Sequence, residues 1–120
     1  MDQSPRLSLP YLSSSQAQKH VTVNEALIRL DALTHPVALS ATVSSPPSAQ
    51  DGDAYIVPDG AVGEWTGQES SLAVYDNGGW LYLTPRRGWR VWVEDQNDYS
   101  TFVSDQWVSS LSGAYEEGAY

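Results

Sequence analysis

The side chains that could act as a nucleophile and a general base in this sequence are its serines and its two histidines, His20 and His35. A serine hydrolase needs a serine beside a histidine that an acidic residue orients. No serine lies in the Gly-x-Ser-x-Gly pattern that exposes the nucleophile at a sharp turn. His20 is more simply a hydrogen-bonding residue of a helix or an interface, and His35 a residue at a helix C-terminus. We therefore predict no catalytic residues.

Like catalytic residues, metal and cofactor sites find little support in the sequence. Asp51, Asp53 and Asp59 lie in a region with glycines and could offer oxygen ligands to calcium, but their spacing is not that of an EF-hand loop. Aspartates are also common turn formers. The chain has no cysteine, and its glycines match neither a dinucleotide-binding nor a P-loop fingerprint. We predict no metal and no cofactor.

A glycosidase would need two carboxylates at a defined separation across a sugar-binding cleft. Glu64 beside Trp65, and Glu94 near Trp92, could fill those roles. Nothing in their spacing selects them, so an enzyme is the least supported of the three functions that we consider.

The clearest surplus in the sequence is aromatic, with 5 tryptophans and 7 tyrosines. Beyond filling a core, aromatic side chains stack on sugar rings or anchor protein interfaces. In one strand Trp89 and Trp92 would point to opposite faces, because side chains alternate along a strand. At least one of the two is therefore expected on an outer face or an intersubunit surface.

Length and charge exclude several classes of protein. The chain has 120 residues, the size of a single domain. Its 15 acidic side chains outnumber the 6 basic ones, and the net charge of -9 would repel nucleic acid phosphates. The sequence contains no apolar run long enough to span a bilayer, and its N-terminus lacks the features of a signal peptide. We predict neither a nucleic acid nor a membrane partner.

The chain divides into two zones of different composition. Residues 1–36 hold three acidic and three basic side chains, so the whole net charge falls in residues 37–120, together with every aromatic residue except Tyr11. We predict an N-terminal arm and helix over residues 1–36 for docking and oligomerisation. An antiparallel β domain over residues 37–120 would form one folding unit with that helix.

The first twelve residues are predicted to form an extended arm. Pro5 and Pro10 disfavour a helix, and the apolar residues Leu7, Leu9 and Tyr11 alternate with other residues as on one side of an extended segment. The arm could pack on its own domain or dock on a partner, and the sequence does not choose between the two.

A helix is predicted from Val23 to about Leu33. Thr22 and Glu25 form a possible capping box at its start, and the proline after His35 ends it. A second capping box, Ser13 with Gln16, allows one or two helices in all. The apolar surface is wider than one face, so the helix needs contacts on more than one side, from a wrapped core or from another subunit.

The sequence of residues 37–120 predicts about six short strands. Residues 71–75 and 80–83 flank Asn77 and Gly78 and are typical of a hairpin. Further apolar or alternating runs cover residues 37–43, 54–57, 89–93, 99–103 and 106–108. The expected fold class is α+β, with a small antiparallel sheet, a sandwich or a partly open barrel.

Several motifs resemble those of a domain family of unknown function that occurs in phage tail-fibre-like proteins and in gene transfer agents of alphaproteobacteria. The resemblance covers roughly residues 7–95 and is most specific in combination. Its strongest elements are QAQKHV from residue 16, NEAL from residue 24, DGDAYIV from residue 51, and Thr84-Pro85 through Gly88-Trp89.

The resemblance implies a structural role in a phage-like particle and offers no catalytic residues to carry over. Because the chain ends soon after the resembling part, we expect a base or adaptor of a head spike or fibre. Such a protein would be a homo-oligomer, a pentamer or a trimer, bound to a capsid protein and a fibre protein in particles assembled in the bacterial cytoplasm.

The alternative function is a carbohydrate-binding module that recognises cell-surface glycans. In that module, exposed Trp65, Trp89 or Trp92 would stack on the glycan, and nearby acidic residues would accept hydrogen bonds from its hydroxyls. The predicted interface residues are Leu7, Leu9, Tyr11, Leu12, His20, Leu27, Trp65, Trp89, Trp92 and Trp107.

Overall fold

The computed structural model describes residues 3–13 and 19–110, with the side chains of Lys19 and His20 excepted. The chain divides into two compact units, Met1–His35 and Pro36–Tyr120. The described residues form one helix and seven strands, which confirms the predicted α+β class. The second predicted capping box lies partly outside the described residues. No helix in the described ranges has the length and hydrophobicity to cross a membrane.

The helix of the first unit, α1, spans Lys19–Leu33 and begins earlier than predicted. Thr22 therefore lies inside the helix, and the capping-box pattern read from Thr22 and Glu25 does not mark its start. The end agrees with prediction. His35, the residue before Pro36, adopts a left-handed φ of 49° and so lies outside the right-handed α region, which is disfavoured for a residue that precedes proline.

The N-terminal arm is folded back on itself rather than extended throughout. Residues 5–7 form a turn, Ser8 has a positive φ of 58°, and Gln3 and Pro10 are joined by an antiparallel bridge. A proline favours the first central position of a turn, which fits Pro5. The alternation of apolar residues in this arm therefore does not line one side of a straight strand.

The arm is bound to its own helix. The Leu12 amide donates to Asn24 Oδ1 at 2.8 Å, and Asn24 Nδ2 donates to the Leu12 carbonyl at 3.0 Å. The Asn24 side-chain amide thus bonds to both main-chain groups of Leu12, as a neighbouring strand would, and holds this part of the arm on the helix. The arm therefore packs on its own unit, and docking on a partner stays a prediction.

Asp31 is the centre of the first unit. Its carboxylate is fully buried, with 0% exposure, and accepts hydrogen bonds from the Ser4 hydroxyl at 2.5 Å, the Leu7 amide at 2.6 Å and the Arg6 amide at 3.2 Å. Bonds from neutral donors to a charged acceptor are among the stronger ones in proteins. The arm thereby satisfies a buried charge that the helix carries on the same side as Ile28 and Ala32.

Arg6 closes the C-terminal end of α1. Its guanidinium donates to the carbonyl oxygens of Asp31, of Thr34 at 2.9 Å and of His35 at 2.6 Å. The last carbonyls of a helix have no partner within it and carry the negative end of its dipole. A cation from the arm therefore supplies the cap that α1 does not carry in its own last turn.

The second unit contains two sheets. The strands are β1 (Val37–Ala38), β2 (Ala54–Ile56), β3 (Leu72–Asp76), β4 (Gly79–Leu83), β5 (Arg90–Val93), β6 (Asp98–Val103) and β7 (Gln106–Ser109). One sheet has the order β1-β5-β6-β7 and the other the order β2-β3-β4. All pairs are antiparallel except β1 with β5.

Residues 37–40 connect the two sheets. Val37 and Ala38 pair in parallel with Trp92 and Val93 of β5. The next residues then hydrogen-bond to β2: the Leu39 amide donates to the Ala54 carbonyl at 2.7 Å, and the Ile56 amide donates to the Ser40 carbonyl at 3.1 Å. One bent segment thus belongs to both sheets, which form an arrangement short of a closed barrel.

The predicted hairpin is confirmed as β3 and β4. Asp76 pairs with Gly79, and the two residues between them, Asn77 and Gly78, have φ values of 51° and 85°. Two successive positive φ values define the type I′ turn, whose twist matches that of the flanking strands. A side chain at position 78 would meet no atom within 4 Å, so the glycine is needed for its φ and not for space.

The sheet of β2, β3 and β4 carries apolar residues on both faces. Leu72, Ala73 and Val74 are consecutive in β3 and each is 0% exposed, so both sides of this strand are covered. On one side Tyr55 and Ala73 pack with Trp65, which lies on the short 3-10 helix Gly63–Trp65. This side holds the aromatic cluster, which we define as Tyr55, Trp65, Tyr75, Trp80 and Tyr82.

Trp65 is the most enclosed member of the aromatic cluster. Its ring centroid lies 5.2 Å from that of Trp80 and 5.6 Å from that of Tyr55, and its side chain has 0% exposure. Tilted and edge-to-face contacts at such distances are favourable for aromatic pairs. The prediction of Trp65 as a contact residue is therefore corrected: it is a core residue, because the glycine-rich loop turns its side chain inward.

The protein is expected to lose stability at alkaline pH because of two tyrosines of the aromatic cluster. Burial raises the pKa of Tyr55 above 10.0, with a smaller effect from the Asp53 carboxylate, and burial followed by Glu64 does the same for Tyr82. The folded state thus holds these phenolic protons more tightly than the unfolded state. The resulting stability is present below about pH 10 and is lost as pH rises through the folded pKa values.

We expect the free energy of unfolding, measured by urea titration at a series of pH values, to decline above about pH 10. The double variant Tyr55→Phe and Tyr82→Phe should decline less steeply, because it lacks both phenols. An equal slope for both proteins in that range would contradict the assignment.

Candidate interaction surface

The outer face of β5 and β6 presents large side chains to solvent. In β5, Val91 and Val93 are fully buried while Arg90 and Trp92 point the other way, Arg90 exposed and Trp92 half-buried. Trp92 stands opposite Tyr99 of β6, which is 37% exposed. The alternation of the strand therefore places Arg90, Trp92 and Tyr99 together on one face.

These three side chains fix each other's positions. The Trp92 and Tyr99 rings meet edge to face with centroids 5.0 Å apart, and the Arg90 guanidinium carbon lies 3.8 Å from the Tyr99 ring centroid. The Trp92 indole Nε1 donates to Glu94 Oε1 at 2.9 Å. We refer to these residues as the Arg90–Trp92–Tyr99 surface. Its side chains are held before any partner arrives, which lowers the entropic cost of binding.

The chemistry of this surface is that of recognition. Tryptophan, tyrosine and arginine are the residue types that contribute most to binding energy at protein interfaces. The guanidinium of Arg90 covers one face of the Tyr99 ring, which a sugar would otherwise use for stacking. Within residues 3–13 and 19–110, no three acidic or histidine side chains group as metal ligands.

The tryptophans predicted as contact residues lie in different environments in the structure. Trp92 alone lies on the Arg90–Trp92–Tyr99 surface. Trp89 is half-buried just before β5, where its carbonyl accepts the Phe102 amide at 2.8 Å. Trp107 in β7 packs edge to face on Phe102 at 5.3 Å and donates from its indole Nε1 to the Ser70 carbonyl at 2.8 Å. Trp107 is thus held within the β domain.

The other predicted contact residues lie in the first unit. Leu7 and Leu12 are 36% and 38% exposed, whereas Leu9, Tyr11 and Leu27 are half-buried. The side chain of His20 lies outside the described residues. As no partner chain is present, the contacts predicted for these residues stay predictions.

Arg90, Tyr99 and Asp31 were not among the predicted contact residues. Arg90 and Trp92 are two residues apart in one strand, so their side chains point to the same face. The position of Arg90 on the outer face therefore follows once the strand is predicted. Tyr99 could be placed only through the register of β6 on β5. Asp31 left a clearer signal, because it is an acidic residue on the helical stripe of Ile28 and Ala32.

Comparison with known proteins gives one result. No curated protein matches the chain. A family model described as "Protein of unknown function (DUF2793)" matches residues 23–108, which include most of α1 and nearly all of the seven strands. That match covers well over half of the sequence, and the chain therefore belongs to the DUF2793 family.

Proposed function

We propose that this protein is a structural component of a phage-like particle, the base or adaptor of a head spike that links the capsid to a fibre. The particle role rests on the resemblance of residues 7–95 to domains of phage tail-fibre-like proteins and gene transfer agents. A head-spike base protein of a gene transfer agent is the specific protein type proposed. Its site of action is the particle, assembled in the bacterial cytoplasm.

The residues of the resembling motifs make bonds that shape the fold, as suits a scaffold. Asn24 pairs with the main chain of Leu12 in the arm. In the motif that begins at Asp51, the Asp51 carboxylate accepts the Asn77 amide at 2.9 Å, and the Gly52 amide donates to the Tyr75 carbonyl at 2.8 Å. These bonds bind the turn before β2 to the end of β3.

The observation that supports a protein contact within the particle is the Arg90–Trp92–Tyr99 surface. It is a rigid, partly exposed set of the side chains that most often anchor protein interfaces. We propose that this surface contacts another protein of the particle, which is the capsid protein, the fibre protein or a second copy of the chain. Five copies would match a capsid vertex and three a fibre.

The test is incorporation of a Trp92→Ala variant into particles in the producing bacterium. Truncating an interface tryptophan typically costs about 2 kcal/mol or more, which is roughly a thirtyfold loss of affinity. We expect the variant to fold, as judged by its circular dichroism, and to be depleted at least tenfold from purified particles. Val62→Ala is the matched control, since Val62 is 52% exposed and lies away from β5 and β6 in the sequence.

Incorporation of Trp92→Ala at the level of the unchanged protein would contradict a contact through this surface. A loss shared equally by Val62→Ala would also count against it, because the effect would then not be specific to the Arg90–Trp92–Tyr99 surface.

A second candidate function is carbohydrate binding, favoured by the carboxylate of Glu94 beside the Trp92 indole. Aromatic faces stack on sugar rings, and neighbouring charged groups hydrogen-bond to hydroxyls. Under this function, Trp92→Ala would enter particles normally and fail to be retained on a cell-surface glycan column. The two functions therefore predict opposite results for the same variant.

A further inference from the structure

The outer face of β5 carries charges that are ordered along the strand. Arg90 precedes Trp92 by two residues and Glu94 follows it by two, so their main chains lie on opposite sides of the indole. Strand alternation places Arg90 and Trp92 on the outer face, and the bond from the Trp92 Nε1 holds the Glu94 carboxylate beside the ring. Both charged side chains are exposed. The face thus runs from a cation through an aromatic ring to a carboxylate.

Neighbouring residues give the two ends of β5 opposite charge. The three cations of residues 37–120 are Arg86, Arg87 and Arg90, all exposed and all at the N-terminal end of β5. Glu94 and Asp95, also exposed, lie in the short 3-10 helix that follows the strand. One end of β5 is therefore basic and the other acidic.

An apolar row crosses the strands between these charged ends. Trp92 pairs with Val37 of β1 on one side and with Tyr99 of β6 on the other. Directly paired residues share a face of a sheet. Val37 and Trp92 are half-buried and Tyr99 is 37% exposed, so the row is partly open to solvent.

This arrangement is complementary to itself. If two copies face each other across a two-fold axis that follows the apolar row, their β5 strands run in opposite directions, and Arg90 of each copy lies against Glu94 of the other. Opposite charges across an interface favour a partner, and like charges in contact disfavour it. A two-fold axis parallel to β5 would set Arg90 against Arg90. The charges therefore favour the axis along the row.

We propose that the outer face of β1, β5 and β6 binds the same face of a second copy of this chain, with the two sheets about 10 Å apart. Trp92 would pack at the centre, between two Arg90–Glu94 ion pairs. The inference rests on the proposed function, in which this surface contacts another protein, and it names that protein as a second copy. Because a two-fold contact joins chains in pairs, a trimer or a pentamer would need a second kind of contact.

The test is sedimentation equilibrium of the full chain over a range of concentrations, in about 0.15 M salt, where charges more than about 8 Å apart are largely screened. We expect a reversible dimer. Either charge reversal, Arg90→Glu or Glu94→Arg, brings like charges into contact and should weaken the dimer at least tenfold. Mixing the two variants should restore association, because the acidic face of one variant then meets the basic face of the other.

Two further variants make the test specific. A chain that carries both reversals should dimerise like the unchanged chain, since its charge pattern is again complementary to itself. Glu69→Arg is the matched control for Glu94→Arg, because it changes the net charge equally at an exposed residue in the turn before β3. It should leave the dimer unchanged. A monomer at every concentration, or a mixture of the two single reversals that does not associate, would overturn the inference.

The outcome is separable from that of the particle experiment. If the chain stays monomeric while Trp92→Ala is depleted from particles, the inference is overturned and the proposed function stands, with the capsid protein or the fibre protein as the partner. If the chain dimerises as expected but is absent from particles, the two-fold contact stands and the particle role is overturned.

Discussion

Replacing Trp65 by alanine is expected to lower the free energy of unfolding of the β domain by about 4 kcal/mol. The side chain is 0% exposed and contacts two other rings of the aromatic cluster, so its removal leaves a large cavity. Urea titration followed by circular dichroism measures the loss directly. A loss below about 1 kcal/mol would mean that the aromatic cluster is not a core.

Two further substitutions calibrate this result. Trp65→Phe should cost less than alanine, because an aromatic ring is kept and the buried indole Nε1, which has no hydrogen-bond partner among the described residues, is removed. Trp92→Ala should cost less than Trp65→Ala, because Trp92 lies partly exposed on the outer face of β5. Equal losses for Trp65→Ala and Trp92→Ala would contradict the assignment of one to the core and the other to the surface.

Replacing Asp31 by alanine is expected to detach the N-terminal arm from α1. The substitution leaves the Ser4 hydroxyl and the amides of Arg6 and Leu7 without their acceptor. Hydrogen bonds to a charged acceptor contribute roughly 1.5–3 kcal/mol each, and donors that stay buried without their acceptor add a desolvation cost. Hydrogen exchange at the Leu7 amide should therefore accelerate by at least about a hundredfold.

Glu25→Ala is the matched control for Asp31→Ala. Glu25 is also an acidic residue of α1, but it is exposed, and within the described part of the chain its carboxylate bonds to Arg29, at 3.0 Å and 3.3 Å. An exposed pair of this spacing contributes about 0.3–0.5 kcal/mol, so exchange at Leu7 should hardly change. If the two variants had the same effect, the buried carboxylate would not be what holds the arm.

The parts of the fold that depend on residues close together in the sequence could be predicted. Asn77 and Gly78 require positive φ values, and the residues on either side have strand preferences, so the hairpin was predictable. The end of α1 was equally local, because Pro36 restricts His35. The start of the helix was not, since the sequence before Val23 carries no apolar period that marks it.

The parts that depend on distant contacts could not be predicted. Val37 pairs with Trp92 in parallel although the two are far apart in sequence, and no local pattern specifies that partner. Trp65 lies between Gly63 and Gly67, and nothing in that local pattern indicates that its side chain is buried. Gly63 takes a φ of 67° at the start of the 3-10 helix that carries Trp65 into the core.

The candidate site was predictable in part for the same reason. The opposite directions of Trp89 and Trp92 follow from strand alternation, and Trp92 does lie on an outer face. Its neighbours depend on register, which places Tyr99 opposite Trp92 and so brings Arg90 over the Tyr99 ring. A shift of one residue in the pairing of β6 would have turned Tyr99 to the other face.

A structural role requires the protein to be a stoichiometric component of the particle. The most direct measurement is quantitative mass spectrometry of particles purified from the producing bacterium across a density gradient. The proposed function predicts a constant ratio of this protein to the major capsid protein in every particle fraction. Absence of the protein from those fractions, or a ratio that varies from fraction to fraction, would contradict it.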